Sequence, residues 1–164
     1  MSSDIDPTDR AILSLLQTNA RISNAEIGRR IDLATSAVHQ RIRKLEEQGT
    51  IVGYECRVDP RAVGYGLAAF VMIQTGEGAR SSRITTALGE IPQVLEVHRV
   101  VGQDCFFVKI RVRDADELAA LLDETIQPIP GVSGTRTTIV LQTTLESSAL
   151  PLSSDQELGR PVAS

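Results

Sequence analysis

The side chains best suited to chemistry lie together in one short stretch. "SAVHQRIRKL", residues 36–45, sets His39, Gln40, Arg41, Arg43 and Lys44 around Val38, Ile42 and Leu45. The three apolar residues recur at helical spacing and form a single stripe. Ser36, Gln40 and Arg43 fall on the opposite face, His39 and Lys44 flank them, and Arg41 stands at the border of the stripe. A helix of this width fits the major groove of DNA. Gln and Arg can make paired hydrogen bonds to adenine or guanine edges there, and Arg and Lys can reach phosphates. A polar stripe of this kind is more often a solvated helix face, so its neighbours must decide.

Those neighbours are two capped helices and a tight turn. "DIDPTDRAILSLLQ" offers Asp6 as cap, Pro7 at the first helical position and Asp9 in the first turn, followed by Ile12, Leu15 and Leu16 at helical spacing. "SNAEIGRRI" opens with the capping box Ser23/Glu26 and supplies Ile27 and Ile31 as a stripe. After only "DLA" comes the basic helix, which ends at Gly49. Three helices with a short turn between the second and third form a helix-turn-helix, the geometry that places a reading helix. "TIVGYECRVDP" then predicts a short strand or wing, and "RAVGYG" a connector.

Composition sets the outer limits. The chain has 164 residues, of which 41% are hydrophobic, enough for one ordinary domain or two small ones with cores. No apolar run approaches a membrane span and the first residues lack the pattern of a signal peptide, which predicts a soluble, cytoplasmic protein. The formal net charge is -4. Residues 1–66 carry 9 Lys/Arg against 9 Asp/Glu and residues 67–164 carry 8 against 12, so the negative excess lies in the second part. Two modules with different partners follow. Cys56 and Cys105 have no ligand spacing, and neither a disulfide framework nor a metal site is expected.

From Leu67 the pattern alternates strand and helix. "LAAFVMIQT" is an apolar strand, "SSRITTALGEI" a helix, "QVLEVHRVVG" and "CFFVKIRVRD" a hairpin around Gly102, Gln103 and Asp104, and "DADELAALLDETI" a helix capped by Asp114. "GVSGTRTTIVLQTTLE" closes the pattern as a long strand with Thr137, Ile139, Leu141 and Leu145 on one face. The order βαββαβ is the ferredoxin-like motif. Its helices cover one face of the sheet, and the first strand is apolar on both, which predicts self-association through the open face. The fold class is α+β. A winged helix-turn-helix spans residues 1–60, a linker 61–66, a ferredoxin-like domain 67–146 and a flexible tail 147–164.

Taken in order, "DPTDRAILSLLQTNARIS", "SAVHQRIRKLEEQGTIVGY", "VGYGLAAFV" and "IPGVSGTRTTIVL" make residues 4–146 resemble the Lrp/AsnC, or feast/famine, family of transcription regulators. The resemblance implies an N-terminal domain that binds double-stranded DNA. It also implies a C-terminal domain that forms homodimers and higher assemblies, with a small effector, commonly an amino acid, bound between dimers near the loop joining the second and third strands. Carried onto this chain, the recognition helix falls on Thr35–Glu46, adding Thr35 to Ser36, His39, Gln40, Arg41, Arg43 and Lys44. Family members often have Ser where this chain has Ala34, so the cap is expected to shift to Thr35. The effector loop falls on Gly102, Gln103, Asp104 and Cys105, with Cys105 where members commonly carry Asp. Gly102 permits close backbone approach, loop N–H groups can hold a carboxylate, Asp104 can meet an α-amino group, and Thr137 and Thr138 can add hydroxyls. Ordinary turn residues explain Gly102 and Asp104 equally well.

No catalytic constellation stands out: His39 and His98 lie in different modules, and the "GYG" and "GEG" stretches lack the context of a nucleotide-binding loop. The expectation is a regulator, not an enzyme, without cofactor or metal. The competing reading is a ligand-sensing or oligomerising module that does not bind DNA.

Overall fold

In the computed structural model, residues 5–76, 78–102 and 105–152 are described. The chain begins with α1 (Pro7–Thr18). The Asp6 carboxylate accepts from the backbone N–H of Thr8 at 2.8 Å and of Asp9 at 3.3 Å, and Pro7 occupies the first position, where no N–H is needed. The bond from Thr8 is the main reason the Asp6 carboxyl is held below its ordinary value. Helix α2 (Asn24–Ile31) starts at Ser23, whose Oγ accepts from the Glu26 N–H at 3.2 Å. The Glu26 carboxylate does not complete the capping box, because Arg29 and Arg30 each approach it to 2.7 Å.

The turn into α3 (Thr35–Glu47) is tight. Asp32 ends α2 with φ of 54°, and the Leu33 N–H returns to the Gly28 carbonyl at 2.9 Å. Only glycine fits at position 28, where a Cβ would collide with the Leu33 carbonyl oxygen. The expected cap at Thr35 is not formed. Thr35 already lies within the first turn, Ala34 is the N-cap, and no side chain caps the helix. At the other end Gly49 takes φ of 69° and its N–H bonds the Glu46 carbonyl at 2.9 Å, as a left-handed glycine stop should. Ile12, Ile27, Val38 and Ile42 form the core of the three helices, edged by Leu15, Leu16 and Ile31.

The segment expected as a strand or wing forms no strand. Residues 50–58 carry no strand pairing among the described residues, and Val52 is 96% exposed. A 3₁₀ turn, Arg61–Val63, leads into the sheet domain.

That domain runs β1 (Leu67–Thr75), α4 (Ser81–Gly89), β2 (Val94–Arg99), β3 (Phe106–Val112), α5 (Ala115–Ala120) and β4 (Val132–Val140). The sheet is antiparallel in the order β2-β3-β1-β4, the expected ferredoxin-like topology. Ala69, Val71 and Ile73 of β1 and Phe106, Val108, Ile110 and Val112 of β3 pack against Ile84 and Leu88 of α4 and Leu118 of α5. Phe70 and Phe107 point the other way and stack with ring centres 5.0 Å apart. Two expectations are corrected here. Helix α5 continues as a π-helical turn, Leu121–Ile126, with the Gln127 N–H bonded five residues back to the Leu122 carbonyl at 2.9 Å. Strand β4 ends at Val140, whose partner Ala68 is the second residue of β1, so Leu141 and Leu145 find no strand to pair with and are exposed.

The described residues form two units. One takes in the chain up to Arg57 and again from Glu146; the other is Val58–Leu145. The segment expected to be a flexible tail from residue 147 therefore begins by joining the helical unit. The Leu150 N–H donates to Gln17 Oε1 at 2.7 Å, Gln17 Nε2 donates to the Leu150 carbonyl at 3.1 Å, and Arg57 Nη2 donates to the Glu146 carbonyl at 2.6 Å. The remainder, residues 153–164, lies outside the described residues. No helix among the described residues is long and apolar enough to cross a membrane.

Candidate nucleic-acid interface and ligand loop

Helix α3 divides as its spacing predicts. Val38, Ile42 and Leu45 are buried, while Thr35, Ser36, His39, Gln40, Arg43 and Lys44 are exposed. Six of the seven expected DNA-contacting residues thus lie at the surface of one helix, carrying hydroxyl, imidazole, amide, guanidinium and ammonium groups. Arg43 is partly engaged, its Nε donating to Glu47 Oε1 at 2.8 Å one turn on. Such exposed pairs are weak and open to exchange for a phosphate or a base.

Arg41 is the seventh, and the structure places it elsewhere. Its Nη1 meets Asp9 Oδ1 at 2.8 Å and Asp6 Oδ1 at 3.4 Å, and the Asp9 side chain is only 14% exposed. Arg41 therefore ties α3 to the start of α1. One surface residue escaped the sequence reading. Asn24, the first residue of α2, lies with Nδ2 3.4 Å from His39 Nδ1, and so donates to the ring when the imidazole proton is on Nε2. Its position at the start of the first helix of a helix-turn-helix, beside a cap, was the available signal.

In the sheet domain the β2–β3 connection is closed by the Val100 N–H to the Cys105 carbonyl at 3.0 Å. Gly102 adopts φ of 151°, which side chains rarely take. The Cys105 N–H bonds the Ile73 carbonyl at 2.9 Å, and Thr75 Oγ1 donates to Cys105 Sγ at 3.0 Å, fastening this end of the loop to β1. Gln103 and Asp104 lie outside the described residues. Thr137 and Thr138 are not brought together. Thr137 pairs with Val71, which faces the helices, and Thr138 with Phe70 on the opposite face, so the alternation of a strand separates their hydroxyls. The β1 partner of Thr137, Val71, stands two positions from Ile73, whose carbonyl accepts from Cys105, and four from Thr75. Among the described residues no group of His, Cys, Asp or Glu is placed to hold a metal ion.

Comparison with known proteins assigns both units. Residues 5–46 match the AsnC-type helix-turn-helix domain and residues 68–150 the Lrp/AsnC ligand binding domain. The chain is 38% identical to the HTH-type transcriptional regulator FL11 of Pyrococcus horikoshii, over 93% of this chain and 99% of that protein. It is 36% identical to the leucine-responsive regulatory protein of Escherichia coli, over 90% of this chain and 91% of that one. Among solved structures it superposes on a transcriptional regulator of Neisseria meningitidis in complex with L-methionine, with a TM-score of 0.85 and 26% identity over 90% of this chain and 97% of that chain. A helix-turn-helix match over residues 5–46 sets aside the reading of a module that does not bind DNA. The chain belongs to the Lrp/AsnC family and is a DNA-binding transcription regulator with a ligand-binding domain, not an enzyme.

Proposed function

We propose that α3 reads DNA sequence through Ser36, His39, Gln40, Arg43 and Lys44, and that an amino acid bound near Gly102–Cys105 alters DNA binding or assembly in a cytoplasmic homo-oligomer. The observation that carries the reading is the exposed polar row of α3 on a helix whose other side is locked into the core. A two-fold oligomer presents two such helices to half-sites related by the same symmetry. The open face of the sheet, with the stacked Phe70 and Phe107, supports self-association. The L-methionine complex of the Neisseria meningitidis relative supports the amino-acid class. An effector acts here only by binding one arrangement of the oligomer better than another.

The test uses DNA selected by the intact protein from a random pool, with affinity followed by fluorescence anisotropy. Gln40→Ala should weaken binding to the selected sequence by about 1–3 kcal/mol and relax discrimination at one base position. Lys44→Ala should weaken binding to all sequences alike and reduce the salt slope by about 1. Anisotropy repeated with each of the common amino acids, alongside thermal melting, identifies the effector. If no amino acid moves either the melting temperature or the DNA affinity, the effector part of the reading is lost; if neither variant moves affinity, the assignment of the reading face is lost.

A further inference from the structure

The chain passes between its two units twice, once at Arg57/Val58 and again at Leu145/Glu146. A unit joined by one linker swivels through the whole range the linker allows, whereas a second, fastened crossing closes a loop and removes much of that freedom. Here the second crossing is fastened at two separate points. Arg57 Nη2 donates to the Glu146 carbonyl at 2.6 Å, binding the two crossings to each other on the side of the helical unit. The Gln17 side-chain amide then takes both backbone groups of Leu150, at 2.7 and 3.1 Å, as a neighbouring strand would. Between these anchors the Ala149 N–H bonds Ser147 Oγ at 3.1 Å and shapes the turn. Leu150 itself is 68% exposed, so backbone hydrogen bonds and not apolar burial hold the segment at that point.

Gln17 is near the last turn of α1, and the start of α1 is the place where Asp9 and Asp6 hold Arg41 of α3. One helix thus carries the strap at one end and the reading helix at the other. Neither Gln17 nor Arg57 belongs to the exposed row of α3. We propose that Gln17 and Arg57 are positioning residues for DNA reading: by fastening Glu146–Leu150 to the helical unit they restrict which half-site spacing the oligomer accepts, without touching DNA. The inference rests on the reading of α3 as the DNA-contacting helix of a homo-oligomer.

The experiment takes the full chain and DNA selected by it from a random pool, then moves the half-sites apart by about half a turn of the duplex, about five base pairs. The intact protein should bind the respaced DNA about tenfold or more worse than the original. The double variant Gln17→Ala/Arg57→Ala should show a difference of about threefold or less. A second variant leaves both anchors untouched and lengthens the 141–145 segment with a Gly-Ser insert; it should lose spacing discrimination in the same way. A protease specific for glutamate supplies a readout independent of DNA. Cleavage after Glu146, mapped by mass, should be about tenfold faster in Gln17→Ala than in the unaltered chain. Equal spacing discrimination in all three proteins, or an unchanged cleavage rate at Glu146, overturns the proposal and leaves DNA reading intact. Failure of the intact protein to select any DNA instead removes the reading of α3, and the positioning role with it.

Discussion

Arg41 separates two uses of a cation on one helix. It lies on the same helix as the exposed Arg43 and Lys44, yet its guanidinium is held by Asp9 and Asp6 of α1. Arg41→Ala should therefore leave the partly buried Asp9 carboxylate without its partner at a cost of about 1 kcal/mol. For a domain of this size that lowers the melting temperature by about 4–8 °C. Lys44→Ala should leave the melting temperature nearly unchanged while weakening DNA binding. Thermal melting and anisotropy on the same two variants check this, and a DNA defect in Arg41→Ala without a stability loss would contradict it. The border position of Arg41 was legible from the helical period. Its partner was not, because Asp9 lies 32 residues away and only the packing of α1 on α3 brings them together. Gln103 and Asp104 lie outside the described residues, so the expected ligand loop rests on Gly102 and Cys105 alone.

Local chemistry made the helices readable. Asp6, Ser23 and Gly49 each act on backbone groups within three or four residues, so their positions in the chain were sufficient evidence. Glu26 was legible as a first-turn acid but not as the centre of an arginine pair. Hydrogen bonds from Arg29, and then Arg30, lower its carboxyl from 4.5 to about 2. A carboxylate depressed in the folded state contributes stability that is present above its unfolded value and lost on acidification, so the loss falls between pH 4.5 and about 2. Glu26→Gln should remove that part of the acid sensitivity, and the melting curves of variant and parent should converge as pH falls toward 2. The effect is small because the pair is exposed to solvent. A difference that stays constant across this range would show that the ion pairs contribute nothing to the helical unit. Strand ends were less legible than helix ends. The run "TIVLQTTLE" keeps its alternation beyond Val140, but β1 has only Leu67 beyond the partner of Val140, and pairing stops where the neighbour stops.

The order of elements across both domains, and the sheet order with its open face, followed from periodicity and the placement of glycines and caps. The proposed self-association through that face makes a direct prediction. Phe70 lies opposite Lys109 in the β1–β3 pairing, so Phe70→Lys sets like charges side by side on the open face and removes one of the two stacked rings. Light scattering should then report the mass of a single chain, with the circular dichroism spectrum unchanged; an unaltered mass would remove the sheet face from the assembly. The course of residues 146–150 had no counterpart in the pattern, since a segment held by main-chain groups leaves no signature of polarity or period. That same feature sets the substitution rules for the segment. The Gln17 amide recognises an N–H and a carbonyl, which every residue but proline supplies, so position 150 should accept nearly any side chain and refuse proline alone. The specificity of the strap is written at position 17, and its partner strand is free to drift in sequence.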